Sequence, residues 1–120
     1  MKFGALGTGI TRCGFALLMC AAAAPLGAQD SSRLALGEKV FASSCKPCHD
    51  TGRPQNDAPQ LSEKGEWKDR YGKGLADLYK SSIEGFTGYY AMPPRGGNTA
   101  LSDDELKAAV DYMLQRAGVR

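Results

Sequence analysis

Cys45-Lys46-Pro47-Cys48-His49 is the stretch whose chemistry decides the fold: two cysteines three apart, with a histidine directly after the second, C-x-x-C-H. Two thiols at this spacing on a short helical turn can add across the two vinyl groups of a haem. The imidazole that follows is then held beneath the iron as an axial ligand. Competing chemistries lack their partners. A dithiol redox centre of the thioredoxin type sits between a strand and a helix in an alternating α/β pattern, and no such alternation is present. A zinc site needs a second pair of ligands, yet His49 is the only histidine, and the two other cysteines, Cys13 and Cys20, lie in a segment of different character. A chance match is the remaining alternative.

That other segment is the first 28 residues. Lys2 and Arg12 give it a basic start, Cys13 to Ala24 is apolar or small throughout, and Pro25-Leu26-Gly27-Ala28 leads into polar Gln29-Asp30-Ser31-Ser32. This is the layout of a secretory signal peptide, with cleavage expected after Ala28, because a cut after Ala24 would leave Pro25 beside the scissile bond. A membrane anchor would need about 20 unbroken apolar residues, more than this run supplies. Lipidation at Cys20 is a second option, opposed by the bulky Met19 just before it. Residues 29–120 are then the exported domain, and the periplasm is the expected location.

Removing residues 1–28 changes the charge. The whole chain has 15 Lys+Arg against 13 Asp+Glu, a formal charge of +2, and the leader carries two bases and no acid. The remainder is formally neutral, with no run of five like charges, so nucleic-acid binding is not expected. A domain of about 90 residues has a poor surface-to-volume ratio, and a disulfide between Cys45 and Cys48 would close almost no loop. A buried haem would supply the missing core.

The sixth iron ligand can be sought by elimination. Residues 29–120 contain two methionines, Met92 and Met113. Met113 shares helical spacing with Leu106, Ala109 and Val110 and reads as core. Met92 lies in Gly88-Tyr89-Tyr90-Ala91-Met92-Pro93-Pro94-Arg95-Gly96-Gly97, where the prolines fix the backbone and the glycines allow close approach to a porphyrin. Met92 is therefore the candidate ligand. The alternatives are that it only fills the pocket, with the iron five-coordinate or bound by Lys.

The rest of the chain is expected to be helical. Ser31-Ser32 suggests a cap for a helix from about Arg33 to Ser43 with Leu34, Gly37, Val40 and Phe41 inward. Gly37 costs helix propensity, which close approach of another helix would offset. That partner is the last helix, opening with the capping box of Ser102-Asp103-Asp104-Glu105 and ending near Gly118. Between them are expected a short helix around Glu63 to Tyr71, bounded by Gly72 and Gly74, and another from Leu75 to Glu84, stopped by Gly85. The inward stripe of the latter is Leu75, Leu78, Tyr79 and Ser82 or Ile83. No strand pattern of useful length is present, and Thr51–Pro59 is read as a loop.

With these residues assembled, the chain resembles the class I c-type cytochromes, most nearly the bacterial cytochrome c5 type. The resemblance is carried by C-x-x-C-H, Asn56-Asp57-Ala58-Pro59-Gln60-Leu61, Trp67, Ala91-Met92-Pro93-Pro94-Arg95-Gly96-Gly97-Asn98 and Leu101-Ser102-Asp103-Asp104-Glu105. It implies a small all-α fold of about four helices around one haem c, with thioethers at Cys45 and Cys48 and axial ligands His49 and Met92. It further implies that the Pro59 carbonyl accepts the Nδ1 hydrogen of His49, that Trp67 packs in or beside the haem pocket, and that Gly37 and Phe41 cross the terminal helix near Tyr112. Cytochromes of the c5 type often carry a further cysteine pair, which residues 29–120 lack, and Tyr89-Tyr90 stands where a smaller, Gly-rich approach is usual. These tyrosines read either as haem shielding or as part of a docking surface.

A filled His/Met ligand set leaves no open iron position, so the expected function is one-electron transfer and not enzymatic catalysis. Partners are other redox proteins docking transiently at the haem edge, with membranes met only through partner complexes. A free periplasmic carrier and an electron-transfer subunit of a larger oxidoreductase use the same site. Lys46, Arg53 and Arg95 either ring the haem edge or are solvated surface charges.

Overall fold

Helix α1, Leu26–Val40, begins earlier than the Ser31-Ser32 pair suggested. The two hydroxyls donate backwards, to the Ala28 carbonyl at 3.1 Å and the Gln29 carbonyl at 3.0 Å. Back-bonding of this kind lets serine sit inside a helix, so the expected cap is an interior turn. The computed structural model describes residues 26–52 and 57–120. The expected leader, residues 1–28, lies outside the described residues apart from its last three, as do Arg53 and Asn56.

Beyond Val40 the chain remains helical but widens into one π turn, Phe41–Cys45, before α2, Lys46–His49. Such turns are frequent at functional sites. This one delivers C-x-x-C-H on a helical turn of its own, with Phe41, Cys45 and His49 buried. Three further helices follow: α3, Lys64–Gly72, α4, Leu75–Glu84, and α5, Asp103–Arg116. Among the described residues the architecture is all-α, with four substantial helices and the short α2, as expected.

Helix α5 starts where its capping box lies. The Ser102 hydroxyl accepts from the Glu105 N–H at 3.3 Å, and the Glu105 carboxylate accepts from the Ser102 N–H at 2.8 Å. Asp103, Asp104 and Glu105 fill the first turn and Arg116 the last, each charge at the end of the helix dipole that favours it. Ala109, Val110, Met113 and Leu114 face inward and are buried in one cluster with Val40, Phe41, Leu61 and Trp67, and Leu106 is buried as well.

The crossing of α1 and α5 depends on Gly37. A Cβ built there would fall on the Ala108 carbonyl and stand 2.9 Å from the Tyr112 Cβ. The helices therefore meet backbone to backbone, and the Phe41 and Tyr112 rings pack beside the crossing at 5.4 Å. One polar hub ties the same region together. The carboxylate of buried Asp111 accepts from Arg33 at 2.6 Å, Arg120 at 2.6 Å and the Tyr79 hydroxyl at 2.8 Å. Donors from α1, α4 and Arg120 thus satisfy one buried charge, as burial requires.

Helix α4 ends at Gly85, whose φ of +83° suits glycine. A Cβ at Gly85 would also stand 2.8 Å from both the Met92 carbonyl oxygen and the Pro94 nitrogen. Immediately beyond, Phe86 and Met92 pair as a single antiparallel bridge, with N–H to carbonyl bonds of 2.9 and 2.8 Å. The segment between them closes into a small hairpin that the sequence, lacking any alternation there, did not announce.

Candidate haem site

His49 is held from behind. Its Nδ1 lies 2.9 Å from the Pro59 carbonyl oxygen, which can only accept, so Nδ1 carries the hydrogen and the Nε2 lone pair is left free. Burial lowers the imidazole pKa, the bond to Pro59 opposes this, and the Arg70 charge adds to the lowering. The ring is thereby favoured in its neutral, ligand-competent form.

The Pro59 carbonyl is itself positioned by Gln60, a residue whose role the sequence did not reveal. Gln60 is 5% exposed, and its amide nitrogen donates to the carbonyls of Cys48 at 2.8 Å and Ala58 at 2.9 Å. Its backbone carbonyl accepts the Trp67 indole N–H at 2.8 Å, and its backbone N–H donates to the Glu63 carboxylate at 2.7 Å. The next residue, Leu61, donates to the His49 carbonyl at 2.9 Å. The 57–61 segment is thus fastened to the back of the C-x-x-C-H turn. The only signal for this in the sequence was the position of Gln60 next to Pro59.

Cys45 is buried and Cys48 half-buried, and neither is in a disulfide. Burial, with a smaller effect from Cys48, pushes the Cys45 thiol up to about 11. A thioredoxin-type dithiol centre sits between a strand and a helix, whereas this turn continues directly from the helical run Leu26–Cys45. Among the described residues, no three His, Cys, Asp or Glu side chains gather to hold a bare metal ion.

Cys45, Cys48, His49, Pro59, Trp67 and Met92 all line one cavity of about 720 Å³, within the range of cofactor sites. The Trp67 ring centre is 5.8 Å from that of His49. Leu106, Ala109, Val110 and Met113 of α5 and Leu78 of α4 form much of the apolar wall, and Phe86, Tyr90 and Ala91 close the hairpin side. Met113 is buried in helix α5, as expected of a core residue, while Met92 is half-buried and comes from the loop. On the α3 and α4 side the lining is charged, including Asp69, Lys73, Asp77 and Lys80.

The family model described as cytochrome c oxidase, cbb3-type, subunit III matches residues 32–113. Cytochrome c-555 of Chlorobaculum tepidum is 37% identical over 81 residues, covering 67% of this chain and 73% of that one. Cytochrome c5 of Azotobacter vinelandii is 40% identical over 79 residues, covering 64% and 89%. The chain belongs to the class I c-type cytochromes. Such cytochromes are electron carriers and not enzymes, and the family carries haem c. The cytochrome's own residues fit that group: a large, mainly apolar cavity, two thiols and an oriented imidazole on one helical turn, and a thioether in a loop of the wall.

Arg95 is not the rim charge the sequence allowed. It adopts φ +56°, costly for a residue with a Cβ, and turns inward to donate to the Leu101 carbonyl at 2.5 Å and to Asp103 at 2.6 Å. It fastens the Met92 loop to the start of α5. Lys46 is exposed.

Proposed function

We propose that this cytochrome is a monohaem, single-electron carrier of the periplasm, with haem c bound through Cys45 and Cys48 and ligated by His49 and Met92. The observation that carries this reading is the convergence of these four side chains on one cavity. When bound, the haem supplies an iron that cycles between two oxidation states without bond chemistry. The protein's part is to hold the imidazole by its Nδ1 bond, to exclude water with α5 and Trp67, and to present the Met92 thioether on a braced loop. A thioether favours the reduced iron, so this ligand pair suits an acceptor of fairly high potential. Other redox proteins are the proposed partners. Among the described residues no helix is long and apolar enough to cross a membrane, and the membrane is reached in this proposal only through those partners.

The test is Met92→Ala. The variant should lose the thioether-to-iron charge-transfer band and, when reduced, bind CO. An unchanged band and potential would overturn the ligand assignment. The second reading, an electron-transfer subunit of a larger oxidoreductase, is favoured by the oxidase subunit description of the matching family. Recovery of the protein alone from periplasmic extract supports the carrier, and stable co-purification with a catalytic chain supports the subunit.

A further inference from the structure

The loop that carries Met92 runs on into three consecutive residues of left-handed backbone: Arg95 at φ +56°, Gly96 at +61° and Gly97 at +83°. Glycine adopts this region freely, whereas a residue with a Cβ does so at a cost. Two of the three positions hold the residue that fits. At the third the backbone alone favours glycine, so the Arg95 side chain has to offset what its Cβ costs. Strain of this kind persists only where the surroundings hold it, and it gathers at ligand clamps.

What the side chain reaches is a fixed point. One guanidinium nitrogen donates to the Leu101 carbonyl at 2.5 Å and another to the Asp103 carboxylate at 2.6 Å. Leu101 packs against the buried cluster, and Asp103 is the first residue of α5, next to the Ser102 cap. Two charge-assisted bonds from one planar guanidinium fix direction as well as distance. The Arg95 side chain is 27% exposed, so water competes with it less than with a fully exposed ion pair. On its other side Met92 is tied to Phe86, by N–H to carbonyl bonds in both directions. Between Met92 and Arg95 stand only Pro93 and Pro94. Their rings lock φ, which removes two of the torsions through which the chain could absorb a displacement of Arg95. Movement of Arg95 is therefore passed on to Met92.

We propose that Arg95 is a positioning residue for Met92: its hold on Leu101 and Asp103 keeps the thioether at its place in the cavity wall and sets how often the thioether leaves. This rests on the ligand reading above. The experiment is stopped-flow mixing of oxidised holoprotein with saturating cyanide, which enters only once Met92 has moved away, so that the limiting rate counts departures of the thioether. Arg95→Gly, which suits the left-handed backbone and so keeps the fold, should raise that rate about tenfold, the effect of losing charge-assisted bonds partly open to solvent. Asp103→Ala breaks the same hold from the α5 side and leaves the loop backbone unchanged; it should raise the rate about threefold. Gly37→Ala, which strains the α1–α5 crossing instead, should stay within about twofold of the native rate. A native rate in Arg95→Gly or in Asp103→Ala would overturn the proposal. So would an equal acceleration in Gly37→Ala, which would trace the effect to general loosening of the fold. A rate in Met92→Ala no faster than native would instead defeat the ligand reading, so the two failures are distinguishable.

Discussion

At the residue scale, the C-x-x-C-H turn was legible as a helical turn because its pattern is local. Five consecutive residues carry the two thiols and the imidazole, and their scarcity elsewhere left His49 without a rival. Gln60 and Asp111 were not legible, because what each does depends on groups brought from distant segments by the fold. The side chain of Gln60 satisfies the carbonyls of Cys48 and Ala58. Gln60→Ala would leave both part-buried acceptors without that donor and loosen the loop that orients His49. Leaving groups of this kind unsatisfied costs about 1 kcal/mol, the low end of the range because they are only partly buried. The holoprotein variant should show that loss in urea denaturation, and an unchanged midpoint would mean that the loop is held by other means.

At the element scale, α4 and α5 were readable because their boundaries are written locally, in Gly85 and in the Ser102 to Glu105 box. The start of α1 was not, since a serine that caps and a serine that back-bonds look alike in sequence. The hairpin was hidden for another reason: a single bridge needs no alternating pattern. Gly37 was read as a crossing point, and the Ala108 carbonyl lies where its Cβ would be. Gly37→Ala should therefore lower stability by about 1–3 kcal/mol through overpacking, despite alanine's better helix propensity. Calorimetry showing a gain would contradict backbone contact at the crossing. The α5 cap also has a pH signature. Backbone and side-chain bonds from Ser102 hold the Glu105 carboxyl below its ordinary value, so its contribution is present above the unfolded value, about 4.3, and is lost as pH falls through the folded one. Glu105→Ala should melt lower than native protein at pH 7, with the gap closing below about pH 4. A gap independent of pH would mean the carboxylate plays no part in the cap.

At the scale of the whole molecule, helices α1 and α5 make the scaffold, and the described segments between them line one large cavity together with α5. That cavity explains how a chain so short, with no disulfide among the described residues, acquires a core: the cofactor completes it. Removing the haem should therefore cost far more stability than any single substitution considered above. The most direct measurement joins a mass spectrum of the acid-unfolded protein to its reduced-minus-oxidised absorption spectrum. The mass should be raised by one haem that survives unfolding, together with a c-type α band. A mass equal to the polypeptide alone, or a haem that dissociates on unfolding, would overturn covalent attachment at Cys45 and Cys48.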